Sequence, residues 1–216
     1  MNFAFPPSDT ISLPIIGSDK RFPVRRIYCV GRNYADHVRE MGGDAARSEP
    51  VIFTKAPQTI VQNGADIPFP PNTENLHYEV ELVVAMGSDG IYGYGVGIDM
   101  TRRDLQAKAK TKGGPWDRAK NFSHSAPCSA LTLAGKVDLS SANIELRKNG
   151  EVAQRSALNK MIWSVDEIID YLKNDMDLQA GDLIYTGTPA GVGPVNVGDE
   201  LSGRVEGLEG IMVRFV

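Results

Sequence analysis

The chain has little of what most often carries metal or redox chemistry. Of its 216 residues two are cysteine, Cys29 and Cys128, and three are histidine, His37, His77 and His124. Two cysteines without C-x-x-C spacing cannot build a thiolate zinc site. Both sit in apolar sequence and read as reduced, semi-buried thiols. The longest uncharged apolar stretch, 82–86, is far shorter than the ~20 residues a membrane helix needs. No basic stretch followed by an apolar run opens the chain, so no signal peptide is read there. The expectation is a soluble, cytoplasmic protein with no membrane contact. An excess of positive charge is also missing: Lys plus Arg is 23 against 27 for Asp plus Glu, a net charge of −4. That balance is unsuited to a phosphate backbone, and nucleic acid is set aside as a partner. No P-loop motif occurs. Gly93, Gly95 and Gly97 are spaced G-x-G-x-G, which differs from the dinucleotide pattern.

What is present suits one globular domain. Hydrophobic residues are 42% and charged residues 23%, an ordinary folded composition. Twenty-two glycines and 13 prolines signal many turns and a β-rich body. Residues 1–25, with four prolines, read as an extended N-terminal arm with a short strand near 10–16. Residues 26–216 read as a single catalytic domain. Strands are expected at 26–31, 50–55, 78–86, 94–100, 182–186, 200–205 and 210–216. The stretch 56–75 reads as turn-rich. Strands 143–148 and 151–155 are joined by Asn149-Gly150, a strong hairpin signal. Helices are expected from an Asn33 cap to Met41, from a Thr101 cap over 102–112, and from a Ser164/Glu167 capping box to about Leu172. The fold class is α+β, β-dominated, with short peripheral helices.

Candidate chemistry begins with His77-Tyr78-Glu79-Val80-Glu81-Leu82. On a strand, Glu79 and Glu81 share a face. Taken alone, two such acids are most simply a solvated strand edge. A third acid, Asp99, ends a strand in an apolar, glycine-rich setting where an unpaired charge would be costly. Three carboxylates without thiolate suit a hard divalent ion, Mg²⁺ or Mn²⁺. Asp99 could otherwise start a helix, although Thr101 already offers a cap. His37 and Glu40 stand three apart on a helix. Such a pair can take a proton from water, or be an ordinary surface ion pair. Lys120 is either a contact for a substrate carboxylate or a solvated lysine. The loop 186–194, Thr-Gly-Thr-Pro-Ala-Gly-Val-Gly-Pro, offers backbone N–H groups and hydroxyls to a ligand, or is simply a set of tight turns. His77 and His124 read as bland.

Five motifs occur in order: Val30-Gly31-Arg32-Asn33-Tyr34-Ala35-Asp36-His37, the Glu79/Glu81 strand, Gly97-Ile98-Asp99-Met100-Thr101-Arg102-Arg103-Asp104-Leu105-Gln106, Lys120-Asn121-Phe122, and Thr186-Gly187-Thr188-Pro189-Ala190-Gly191-Val192-Gly193. Together they closely resemble the fumarylacetoacetate hydrolase family, in its short single-domain branch of acylpyruvate hydrolases. The lead segment and the run from Met100 to Asp104 look most like members that cleave fumarylpyruvate. The resemblance implies a mixed β-sandwich roll, a homodimer, and a small dioxo-acid substrate. It implies that Glu79, Glu81 and Asp99 bind Mg²⁺ or Mn²⁺ and that His37 with Glu40 activates water. It further implies that Lys120 meets the oxyanion and that Arg32, Arg103, Gln106 and Thr188 hold substrate. Two features depart from the family's usual pattern: Ser88-Asp89-Gly90-Ile91 is short where relatives often carry an insertion, and Lys55-Ala56-Pro57 stands for Lys-Pro. The implied reaction is hydrolysis of an acylpyruvate to pyruvate and a carboxylic acid. Oxaloacetate decarboxylation or hydroxymuconate-type isomerisation would use the same acids without the activated water. A keto-acid binding protein without turnover would need only the metal.

Overall fold

The computed structural model describes residues 2–44 and 47–216. Two large sheets face one another. The first has six strands in the order Thr132–Leu133, Gly90–Ile98, Val80–Gly87, Asp182–Tyr185, Arg26–Gly31 and Val51–Lys55. It is mixed: Asp182–Tyr185 runs parallel to Arg26–Gly31 and antiparallel to Val80–Gly87. The second has five strands, Glu151–Ala157, Asn143–Lys148, Glu200–Val205, Ile211–Phe215 and Ala65–Ile67. A smaller sheet of Thr101–Arg102, Leu76–Tyr78 and Gly193–Val195 adjoins them. Among the described residues four α-helices lie at the margins: α1 (Ala35–Glu40), α2 (Arg103–Lys112), α3 (Asp117–Lys120) and α4 (Val165–Asp175).

Strand Val80–Gly87 is buried on both faces, which is why it reads as a nearly unbroken apolar run. Period-two alternation divides its side chains between two cores. Val80, Leu82 and Val84 pack toward the second sheet with Ile144, Leu201 and Phe215. Val83 and Ala85 face the other way, against Cys29, Leu183 and Tyr185, and against Leu13 and Phe22. Those last two belong to a short hairpin, Ser12–Pro14 with Arg21–Pro23, so the expected arm folds back onto the first sheet. Both cysteines are buried and unpaired. Among the described residues, no helix is long and apolar enough to cross a membrane.

The hairpin at Asn149-Gly150 and the capping box at Ser164 form as expected. The turn residues take φ of 53° and 84°, the left-handed pair a type I′ turn requires. The Ser164 and Glu167 side chains each accept from the other's backbone N–H. Three expectations are corrected and one is filled in. The strand expected over 78–86 breaks at Glu79, because Leu76–Tyr78 joins the small sheet while Val80 donates its N–H to the Gln154 side chain at 2.9 Å. Asn33 is not a helix cap: its buried amide donates to the carbonyls of Trp163 and Thr186 at 3.0 and 2.7 Å, and Tyr34 takes the cap position. Thr101 is not a cap either; it sits in a strand, and α2 starts after Arg102. The segment 56–75 holds short strands at Ile60–Val61 and Ala65–Ile67 among its turns.

Gly97 is a packing requirement of the site's floor. A Cβ there would stand 2.4 Å from the Tyr185 ring and 2.6 Å from Val83. The Tyr185 hydroxyl donates to the carbonyl of Pro127 at 3.1 Å, so the ring is held in place. Gly97→Ala is expected to lower stability by about 1–3 kcal/mol. Gly135→Ala, with nothing within 4 Å of the added carbon, should leave stability nearly unchanged. Urea midpoints at constant m-value would measure both.

Candidate active site

The break at Glu79 matters because it brings three carboxylates together. Glu79 lies between two strands, Glu81 follows on the central strand, and Asp99 comes just after Gly90–Ile98, its N–H bonded to the Glu79 carbonyl at 2.8 Å. One oxygen from each of Glu79, Glu81 and Asp99 lies within 4.8 Å of the others, and all three residues are buried.

Cations neutralise two of the three. The Lys120 ammonium donates to Glu79 at 2.8 Å, to Asp99 at 2.6 Å and to the Thr101 hydroxyl at 2.6 Å. Its three protons are thereby spent. Lys55 lies 2.9 Å from the other Asp99 oxygen and donates to the carbonyls of Met100 and Lys120. Arg103 pairs with Glu79 and donates to the Gln106 side chain at 2.6 Å. Burial alone would raise the Glu79 carboxyl, but Lys120, Arg103 and His37 hold it well below the usual carboxylate range. Burial would lower the Lys120 ammonium, and Asp99 and Glu79 raise it instead.

Glu81 differs. Its closest polar partner is the Gly187 N–H at 2.8 Å, and among the described residues no cation pairs with it. Burial, then the charges of Asp99 and Glu79, push its carboxyl well above the ordinary value. A buried acid of this kind beside two others is where a dication would be accommodated. Three carboxylates with no thiolate suit Mg²⁺ or Mn²⁺ rather than zinc.

A narrow cavity of about 50 Å³ opens above the acids. His37, Arg32, Arg103, Gln106, Lys120 and Thr188 all line it. His37 is buried, and its Nδ1 lies 3.2 Å from Glu40 Oε2. Glu40 does not line the cavity. It sits behind the imidazole, where the Gly191 N–H donates to its two oxygens at 3.0 and 3.2 Å. Thr188 accepts from the Gln154 amide at 2.8 Å. Arg32 takes φ of 62°, a left-handed conformation costing a non-glycine residue about 1–3 kcal/mol.

Of the acids, cations and polar residues singled out from sequence, all except Glu40 line one cavity, and Glu40 contacts one that does. His77 stays outside; burial, then Arg103, pulls it down to about 4, and it bonds Asn75 at 2.8 Å. His124 also lies outside. Sequence reasoning missed Lys55, Thr101 as the third acceptor of Lys120, and the aromatic wall of Phe53 and Trp116. Lys55 had one available signal: three buried acids demand more counter-charge than Lys120 supplies.

The same arrangement of sheets is found in known proteins. The family described as Fumarylacetoacetate (FAA) hydrolase C-terminal matches residues 26–216. Over 176 residues the chain is 47% identical to a fumarylpyruvate hydrolase of Ralstonia sp, covering 76% of this chain and 92% of that one. It is 43% identical over 196 residues to the mitochondrial oxaloacetate tautomerase FAHD1 of Bos taurus, covering 85% and 88%. Among solved structures, fumarylpyruvate hydrolase from Pseudomonas aeruginosa in complex with Mn²⁺ and pyruvate superposes with a TM-score of 0.96 at 44% identity, covering 100% of this chain and 99% of that one. A match running from the strand at Arg26 to the last residue, joined to full-length relatives at these identities, leaves no other placement: the chain belongs to the fumarylacetoacetate hydrolase family.

Proposed function

We propose that this protein is a metal-dependent hydrolase that cleaves the C–C bond of an acylpyruvate, with fumarylpyruvate as the leading substrate, to pyruvate and a carboxylic acid. The observation that carries the reading is His37, backed by Glu40, lining the same cavity as the acid cluster. A binding protein, or an enzyme that only needs a metal, has no use for a buried imidazole oriented by a carboxylate. Glu79, Glu81 and Asp99 would hold Mg²⁺ or Mn²⁺, which when bound supplies Lewis-acid stabilisation of negative charge developing on substrate oxygens.

The chain's own residues account for the other steps. Glu40 fixes the imidazole through Nδ1, leaving Nε2 to take a proton from water. The resulting hydroxide adds to the C4 carbonyl of the substrate. Lys120 is the donor available to the oxyanion, once it gives up one of its three present acceptors. The C3–C4 bond then breaks, its electron pair leaving with the three-carbon fragment, and the imidazolium returns the proton to yield pyruvate. The Arg103–Gln106 pair and Thr188 are placed to hold substrate oxygens. The cavity of about 50 Å³ is narrow for a dioxo acid, and α1 and its neighbours are the segments that would give way on substrate entry.

A second reading has its own support, the identity to an oxaloacetate tautomerase. That chemistry needs the acids but not the activated water. Family membership is also the ground for proposing a homodimer, a cytoplasmic setting, and a catalytic unit over 26–216 against which residues 1–25 pack.

Protein stripped with EDTA should release no pyruvate from fumarylpyruvate, and Mg²⁺ or Mn²⁺ should restore pyruvate and fumarate in equal amounts. Glu40→Gln is expected to lower kcat on fumarylpyruvate by roughly 10²-fold or more, while keto–enol interconversion of oxaloacetate changes little; a parallel fall in both would remove the water-activating role. Wild-type protein should gain stability from metal, about 2.7 kcal/mol at a hundredfold excess over Kd. Glu81→Gln should abolish that gain in a thermal melt.

A further inference from the structure

Helix α2 turns one face into the cavity. Arg103, Gln106 and Lys110 are spaced i, i+3 and i+7 and all line it. The first two are bonded to one another, and Arg103 reaches Glu79. Lys110 stands two turns further on, about 10 Å along the axis at 1.5 Å per residue. Its ammonium lies 5.3 Å from the centre of the Trp116 ring. Among the described residues no carboxylate pairs with it. Arg32 lines the same cavity.

A lysine in the last turn of a helix is often only a favourable partner of the helix dipole. Lys112 is such a residue and does not line this cavity. Lys110 is different because it is drawn over an aromatic wall toward two other cations. Lys110 and Arg32 are exposed at this mouth of the cavity, and partial burial, then the positive charge of Arg103 and Arg32, lowers the Lys110 ammonium from its ordinary value. Between this end and the acid cluster stand Phe53, whose ring centre lies 4.9 Å from the Lys120 ammonium, and Trp116, with the two rings 5.9 Å apart. The cavity therefore has a polar inner end, an apolar middle and a cationic outer end.

We infer that Lys110, flanked by Arg32, is a specificity-determining residue that receives a carboxylate at the far end of the acyl group. The site then selects acylpyruvates that are diacids over those with a neutral acyl group. This rests on the acylpyruvate reading of the same cavity, and deepens it by assigning the far end of the substrate.

The test separates recognition from turnover. 2-Oxoadipate and 2-oxohexanoate share one carbon skeleton, differ only in a terminal carboxylate against a methyl group, and lack the C4 carbonyl that hydrolysis needs. Their dissociation constants would be measured by calorimetry in the presence of Mn²⁺. Wild-type protein should bind the diacid at least about tenfold more tightly, as a charge-assisted contact warrants. Lys110→Met keeps an apolar stem on Trp116; it should cut the preference to about twofold or less, with 2-oxohexanoate little affected. Lys110→Arg should restore most of it. A wild-type ratio near one, or a ratio that survives Lys110→Met, overturns the assignment. Fumarylpyruvate turnover is followed in parallel. No turnover with the ratio intact overturns the hydrolase reading alone, turnover without the ratio overturns the Lys110 assignment alone, and neither turnover nor binding of either keto acid overturns both.

Discussion

A carboxylate taken out of water costs several kcal/mol unless another charge goes with it. This chain buries three within 4.8 Å of one another. The rest of the site follows from that constraint. Lys55, Lys120 and Arg103 are drawn inward as counter-charges, and Lys55 and Lys120 are themselves fully buried. Removing any one member would strand its partners, so the cluster acts as a unit rather than as separate pairs. Glu81 alone is left with a backbone N–H in place of a cation. The cluster is neutral when all three acids are ionised, yet its charge is unevenly shared, and the uneven place is where a further cation is favoured.

The fold supplies this cluster by interrupting itself. Had residues 76–87 formed one continuous strand, Glu79 would have been committed to a ladder. The switch from the small sheet to the central sheet frees Glu79 to meet Asp99, which leaves its own strand at the corresponding point. Below the acids, Gly97, Val83, Tyr185 and Cys29 form a dry floor. Such a floor lowers the local dielectric and strengthens each charge pair above it. The loop after Tyr185 does two further jobs through its backbone. Gly187 holds Glu81, and Gly191 holds Glu40, so one glycine-rich segment positions both the acid cluster and the group behind His37. Its glycines take φ of 100° and 98°, values a side chain would resist.

Local features were the most legible from sequence. Turn and cap chemistry acts over a few residues, so the Asn149-Gly150 hairpin and the Ser164 capping box could be read directly. The three acids were also legible, because unpaired charge in apolar sequence is conspicuous. Less legible was anything decided by a distant partner. Asn33 looks like a cap, but Trp163 and Thr186, 130 and 153 residues away, claim its amide. Thr101 looks like a cap until Lys120 is placed on its hydroxyl. Lys55 looks like the polar end of an edge strand, since nothing nearby announces the acid it neutralises. The strand break at Glu79 has the same origin: the Gln154 side chain that satisfies Val80 comes from another sheet.

Charge balance also bears on which ligands the cavity favours. With Glu79, Glu81 and Asp99 ionised, Lys55, Lys120 and the half-buried Arg103 cancel them. Adding a dication leaves two positive charges on the cluster, beside those of Lys110 and Arg32, an unfavourable state by itself. A monoanionic ligand removes one of these and a dianion removes both. Metal and diacid therefore favour one another through the field, before any direct contact between them is considered. Hydrolysis asks for one thing more, a base that is not itself tied up in this balance. His37 meets that requirement because its partner Glu40 sits behind it, outside the cavity, and is satisfied by the Gly191 backbone rather than by a cation of the cluster. The histidine pair thus shares the cavity without being tied into the ion pairs of the acid cluster, although the charge of His37 still helps to lower Glu79. On the proposed reading, that arrangement would let a single site bind charge at one place and move a proton at another.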